Sequence, residues 1–154
     1  MLPFQRKRNG VHLGLAEHER TLIGDLARQL VDMLQGGDQK DPALSRLLPD
    51  AYSGDDEAAA EFRRLTADDL TEAKVRNAET IITTLGQDRK AVLTPEAEQA
   101  WLRSLTDIRL TLGSRLAVTG EGFRPSTDPQ VLLMRDIYDW LGYVQEALVR
   151  AIDR

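Results

Sequence analysis

Residues 94–116 read TPEAEQAWLRSLTDIRLTLGSRL and carry the clearest secondary-structure pattern in the chain. Thr94 followed by Pro95 is typical of a helix start, because a threonine side chain caps free N–H groups and proline suits the first helical position. From there, apolar residues recur every three or four positions, which predicts one amphipathic helix over 95–117. The stripe consists of Ala97, Trp101, Leu105, Ile108, Leu112 and Leu116.

The same periodicity extends outward along the chain in both directions. Leucines recur every four residues from Leu22 to Leu34 and predict a helix that Gly36 stops. Asp41 and Asp128 each precede a proline and begin two further helices, and Thr66 is expected to cap the helix that follows it. We therefore predict long helices at 17–35, 67–85, 95–117 and 129–152, and short helices at 42–48 and 56–64.

Composition agrees with a helical protein. The chain has 23 Leu against 14 Ile plus Val, and leucine favours helices whereas β-branched residues favour strands. Its 154 residues are typical of one domain. We predict an all-α, single-domain bundle over 1–154, with four long and two short helices, in which the helices at 95–117 and 129–152 pack antiparallel. Their shared core is expected to consist of Trp101, Leu105, Ile108, Leu112, Ile137, Trp140, Val144 and Leu148. Short apolar alternation leaves room for a two-stranded ribbon that pairs 11–15 with 91–93, and we expect residues 1–10 to form a basic, flexible tail.

The sequence lacks the usual motifs of catalytic, cofactor and metal sites. With no cysteine, it has no disulfide framework, zinc finger, iron–sulfur cluster or thiol nucleophile. Its two histidines, His12 and His18, do not form the Glu-x-x-His pattern of di-iron bundles. It has no Gly-x-Ser-x-Gly elbow and no glycine-rich phosphate loop. We therefore predict no catalytic, cofactor-binding or metal-binding residues, and we do not expect an enzyme.

Several polar residues lie on or beside the apolar stripes. Buried polar groups need partners, so these residues are expected to form an internal network that ties helices together. The alternative is a ligand site in which charged groups converge in a cleft. The candidate network consists of Arg63, Arg64, Asn77, Arg103, Asp107 and Arg109.

Charge is unevenly distributed along the chain, whose net charge is −5. An acid-rich stretch covers 50–72, and a short basic run lies near residue 7. Such runs are usually solvated faces, and docking surfaces are the alternative. The candidate partner surface consists of Asp50, Asp55, Asp56, Glu57, Glu61, Arg6, Lys7 and Arg8.

The sequence also bears on cellular location, nucleic-acid binding and oligomeric state. No run approaches the roughly 18 apolar residues of a membrane span, and the basic start has no signal-peptide pattern, so we expect a cytoplasmic protein without membrane contact. Acidic overall charge argues against direct DNA binding, because phosphate contacts need clustered Lys and Arg. The oligomeric state stays open, and a dimer is one option.

Five segments together resemble a known family. They are MLPF at 1–4, DPALSRLLPDAY at 41–52, EFRRL at 61–65, WLRSLTDIRLTLGSRL at 101–116 and YDWLGYVQEALV at 138–149. In this order they are similar to an actinobacterial family of small, largely uncharacterised cytoplasmic proteins. Its genes often lie beside the gene of the ClpS protease adaptor, and members are labelled oxidative-stress transcriptional regulator AosR. The patterns Leu-Leu-Pro-Asp-x-Tyr and Asp-x-Arg-Leu-x-Leu-Gly are its most specific parts.

The resemblance implies a regulator that binds an alternative sigma factor and senses oxidation through paired cysteines. This chain departs from that pattern, since it has no thiol to oxidise. We predict a non-enzymatic protein that acts by binding another protein, with a sigma factor or the protease-adaptor system as partners implied by resemblance alone. A small-ligand-binding protein or enzyme with a pocket between the long helices remains the alternative.

Overall fold

Five helices and three short strands make up the described part of the computed structural model, which covers residues 2–37, 41–48, 57–87, 91–116 and 126–153. The strands are β1 (Phe4–Lys7), β2 (Gly10–Leu13) and β3 (Val92–Leu93). The helices are α1 (Glu17–Gly36), α2 (Pro42–Leu47), α3 (Glu57–Leu85), α4 (Pro95–Arg115) and α5 (Pro129–Ile152). The protein is therefore mostly helical, as predicted, with a small antiparallel sheet.

Local capping sets where three of the helices begin. The side chains of Asp41, Thr94 and Asp128 each accept a hydrogen bond from a backbone N–H in the first turn of α2, α4 and α5. Each is followed by proline, which lacks an N–H that would otherwise stay unpaired. These helix starts were predicted correctly because every interaction involved is local.

The predicted break between two helices near residue 65 is wrong. A single helix, α3, runs without interruption from Glu57 to Leu85, so the expected helices at 56–64 and 67–85 are one. Thr66 was expected to cap the second helix but lies in the interior of α3. The segment 57–85 contains neither glycine nor proline, and a cap-forming residue alone does not stop a helix that its neighbours favour.

The expected flexible tail at 1–10 is also wrong in its central part, because residues 4–7 form strand β1. The sheet order is β1-β2-β3, with Phe4 opposite Leu13 and Val11 opposite Leu93. The predicted ribbon of β2 and β3 is present, and β1 adds a third strand to it. Phe4 explains why: it is 2% exposed, and its ring meets that of Trp101 edge-on with 5.5 Å between centroids.

The core lies where α4 contacts the other elements. Trp101, Leu105 and Val144 are fully buried, in keeping with the prediction that α4 and α5 share a core. Contacts from Arg109 to Tyr138 and from Thr106 to Gln145 show that the two helices run antiparallel. Two residues expected in this core, Ile137 and Trp140, are only partly buried. The amino-terminal half of α5 is therefore less covered than its carboxy-terminal half.

Candidate interaction surface

The acidic half of the predicted partner surface is mostly not described by the structure. Asp50, Asp55 and Asp56 lie outside the described residues, and only the backbone of Glu57 is described, at the start of α3. Glu61 is exposed on the same helix.

The basic half divides into one structural residue and two exposed ones. Arg6 was predicted as part of a partner surface, but its side chain is bound within the protein. Its Nε donates to the carbonyl of Ala151 at 3.1 Å, its Nη2 donates to that of Ile152 at 3.3 Å, and it pairs with the buried Glu98 at 3.4 Å. These carbonyls end α5, where the helix dipole favours a cation. Arg6 thus anchors β1 to α4 and α5.

Lys7 and Arg8 lie at the end of β1 and in the turn that follows it. Both are exposed, and no ion pair within the described residues involves either. Their charges therefore face solvent beside the sheet and remain available to an acidic partner.

A groove with apolar and charged walls lies between β1 and α5. It encloses a cavity of about 330 Å³. Leu2 and Tyr143 form exposed parts of its wall, at 55% and 52% exposure. Its charged lining residues are Arg6, which is bonded to Glu98, and Glu146 and Arg150, which pair with each other at 2.9 Å. The rest of the lining consists of Leu2, Phe4, Gln5, Tyr143, Ala147 and Ala151. We call this feature the β1–α5 groove.

β1 is an edge strand of the sheet, and the groove lies along it. Gly14 N donates to Pro3 O at 2.7 Å, so these two residues form a hydrogen-bonded pair of the β1–β2 ladder. Facing pairs alternate in an antiparallel ladder between bonded and non-bonded types. The backbone groups of Gln5 and Lys7 therefore point toward β2, and those of Phe4 and Arg6 point away from it. No strand among the described residues pairs with that outer edge.

The predicted polar network is present only in separate pieces. Asp107 is 3% exposed, and Lys74 Nζ lies 2.7 Å from its Oδ1, which joins α3 to α4. Burial raises the pKa of the Asp107 carboxyl, and the hydrogen bond and positive charge of Lys74 lower it by less. Oδ2 of Asp107 has no partner among the described residues. Lys74 was not predicted, although its spacing of four from Ala78 and seven from Ile81 on the α3 stripe indicated an inward position.

Arg109 contributes a second polar contact, between α4 and α5. Its guanidinium lies 4.5 Å from the centre of the Tyr138 ring, and Nη1 donates to Gln145 at 3.4 Å. Gly142 makes room for it, because a Cβ there would come within 3.0 Å of the guanidinium. Arg109 therefore stabilises the helix pair and does not point into an open cleft.

Two other members of the predicted network, Arg103 and Asn77, do not join these two contacts. Arg103 is exposed, and Asn77 is half-buried with no side-chain hydrogen bond to another described residue. Arg63 and Arg64 lie in α3, where only their backbone is described. Across the described part of the chain, no group of three His, Cys, Asp or Glu side chains is placed to hold a metal ion.

Both described methionines lie at one small cavity between α1, α4 and α5. Met33 and Met134 line a space of about 100 Å³, and Arg115 Nη2 lies 3.9 Å from the Met33 sulfur. Both side chains are partly buried. The space is well below the roughly 300–1,000 Å³ of typical small-molecule sites.

Comparison of the chain with known proteins identifies its family. A family model described as a domain of unknown function, DUF2017, matches residues 1–152. A Mycobacterium leprae protein named as a candidate oxidative stress regulator, AosR, is 32% identical over 93% of this chain and 74% of its own length. The Mycobacterium tuberculosis H37Rv protein named oxidative stress regulator AosR is 27% identical over 88% of this chain and 78% of its own length. No solved structure matches the chain. Among the described helices, none is long and apolar enough to cross a membrane.

Proposed function

The chain belongs to the DUF2017 family, and on that premise we propose that it is a non-enzymatic regulatory protein that acts by binding another protein. The observation that carries the proposal is its similarity, over most of its length, to proteins named oxidative stress regulators. By resemblance, the partner is a sigma factor or a component of the protease-adaptor system. We further propose that the protein acts in the cytoplasm.

Features of the described surface support binding to a protein. The wall of the β1–α5 groove includes the exposed apolar side chains of Leu2 and Tyr143, and the exposed cations Lys7 and Arg8 end and follow the strand that forms one side of it. An apolar centre with a polar rim is the usual composition of a protein interface. The principal charged and polar contacts of the interior, Lys74–Asp107 and Arg109–Gln145, join helices to each other.

The alternative, a ligand-binding protein or enzyme with a pocket between the long helices, receives less support. The cavity that α1, α4 and α5 share has a volume of about 100 Å³. Its lining is largely apolar, and Arg115 is its one charged member. A metabolite-sized ligand at this cavity would require the three helices to move apart. A larger space of about 440 Å³ between α3 and α4 is open to solvent.

Affinity capture of the tagged protein from an extract of its native cells, after mild cross-linking, tests the proposed function. We expect one partner to be retained in near-stoichiometric amount. Failure to retain any protein above the untagged control, together with a thermal shift caused by a metabolite fraction, would replace this proposal by the ligand-binding alternative.

Charge variants then separate the two predicted surfaces. One variant replaces Lys7 and Arg8 by glutamine, and the other neutralises the acids Asp50, Asp55, Asp56, Glu57 and Glu61. Loss of capture in the first variant alone assigns binding to the basic end of β1, and loss in the second alone assigns it to the acid-rich segment. Electrostatic contributions to either surface decrease as salt rises, because exposed charges are screened.

A further inference from the structure

We propose that the β1–α5 groove binds an extended, acidic and apolar peptide segment of the partner, which adds to the sheet as a fourth strand beside β1. The inference rests on the proposed function, since it specifies how a protein partner is recognised. Three independent observations support it: the unpaired strand edge, the adjacent apolar cavity and the local charge.

The strand edge supplies the backbone contacts. The N–H and C=O groups of Phe4 and Arg6 point away from β2, and no described strand pairs with them. An unpaired edge is a template for another strand, and proteins that leave one open often use it to bind extended peptides. Arg6 holds this edge in place, because its side chain is bonded to the end of α5 and to Glu98.

The cavity supplies a site for one peptide side chain. It lies directly beside β1, and its far wall is α5, where Tyr143, Ala147 and Arg150 follow each other at helical spacing. At about 330 Å³ it accommodates a large apolar side chain. In strand addition, backbone hydrogen bonds supply affinity and such pockets, reading alternate side chains, supply specificity.

The charges select the peptide and disfavour a second copy of this chain. Arg6, Lys7 and Arg8 are consecutive on and after β1, and Lys7 and Arg8 have no ion-pair partner among the described residues. Pairing two β1 edges would bring two such basic runs close together, which costs electrostatic energy. An acidic segment gains from the same charges.

Selection from a random peptide library on the immobilised protein tests the proposal. We expect enrichment of acidic peptides with a large apolar residue and no proline at the centre. Ala147→Trp fills the cavity and should weaken binding of the selected peptides at least about tenfold. Val149→Trp, at an exposed position on the opposite face of α5, is the matched control and should bind like the native protein. Tyr143→Asp repeats the test without filling the cavity, and it should also weaken binding.

Amide hydrogen exchange distinguishes strand addition from other occupants. On peptide binding, the N–H groups of Phe4 and Arg6 should exchange about tenfold more slowly, while those of Gln5 and Lys7, already bonded to β2, should change little. N-methylation of every second peptide residue removes the N–H groups on one side of the strand. It should abolish binding when those groups face β1 and preserve binding when they point away from β1.

Three outcomes would overturn the inference. In the first, no enriched peptide binds Val149→Trp better than Ala147→Trp. In the second, peptide binding leaves the amides of Phe4 and Arg6 unprotected from exchange. In the third, those amides become protected without peptide as the protein concentration rises. The last would assign the edge to a second copy of the chain. The proposed function is tested separately. If native protein and Ala147→Trp capture the same partner equally well, the proposed regulatory function stands and strand addition in the groove is wrong. If the protein binds the selected peptides but captures no partner from the extract, strand addition stands and the proposed function is wrong.

Discussion

Arg6 and Glu98 form an ion pair with 3.4 Å between Nη2 and Oε1, although 92 positions separate them in the chain. The same guanidinium donates to the carbonyls of Ala151 and Ile152. One side chain therefore joins the first strand, the start of α4 and the end of α5. The open edge of β1 depends on this anchor, because a short edge strand is only marginally stable by itself.

Arg6→Ala should lower the free energy of unfolding by about 1–3 kcal/mol, since it leaves the buried Glu98 carboxylate and two helix-end carbonyls without their donor. Lys7→Ala, on the neighbouring exposed position, should change it by no more than about 0.5 kcal/mol. Urea denaturation measures both. If Arg6→Ala changes the free energy of unfolding by as little as Lys7→Ala is expected to, the Arg6 contacts contribute nothing to stability.

Asp107→Asn should reveal a pH dependence of stability with a defined sign. The pKa of Asp107 is raised above its ordinary value of 3.8, so the folded state binds its proton more tightly than the unfolded state. This carboxyl therefore favours folding more as pH falls from neutral toward 3.8. The native protein should gain stability relative to Asp107→Asn over that window. Urea denaturation at several pH values measures the difference, and a relative loss on acidification would mean that Lys74 outweighs burial.

Leu105→Ala and Val144→Ala should each lower the free energy of unfolding by about 2–4 kcal/mol, because both side chains are fully buried where α4 meets α5. Leu133→Ala is the control, since Leu133 is 61% exposed on the same helix as Val144. Chemical denaturation of the three variants checks the assignment of helix faces. A large loss for Leu133→Ala would show that a further surface covers the start of α5.

Mild peroxide should leave partner binding unchanged. The chain has no thiol, and Met33 and Met134 are partly buried around a cavity of about 100 Å³. Binding measured before and after peroxide, with mass spectrometry to locate sulfoxides, tests this. A reversible change in binding that disappears in the Met33→Leu, Met134→Leu double variant would identify methionine as the sensor.

Structural features that depend on residues close together in the chain could be predicted from the sequence. Asp41, Thr94 and Asp128 begin their helices through hydrogen bonds to residues two or three positions away. The stripe from Trp101 to Leu112 identified the core face of α4 because helical spacing alone places those side chains together. Even so, the cap-forming Thr66 led to a predicted break in α3, since local signals of similar strength competed there.

The sequence by itself determined the helical class, the starts of three helices and the buried face of α4, because these follow from contacts within one turn or one amphipathic period. Only the tertiary structure decided that residues 4–7 form a strand, that Arg6 meets Glu98, and that Lys74 pairs with Asp107. Strand pairing and buried ion pairs join residues far apart in the chain, so their stability depends on desolvation and packing that no local pattern encodes. The β1–α5 groove belongs to this second group, since its two walls come from opposite ends of the chain.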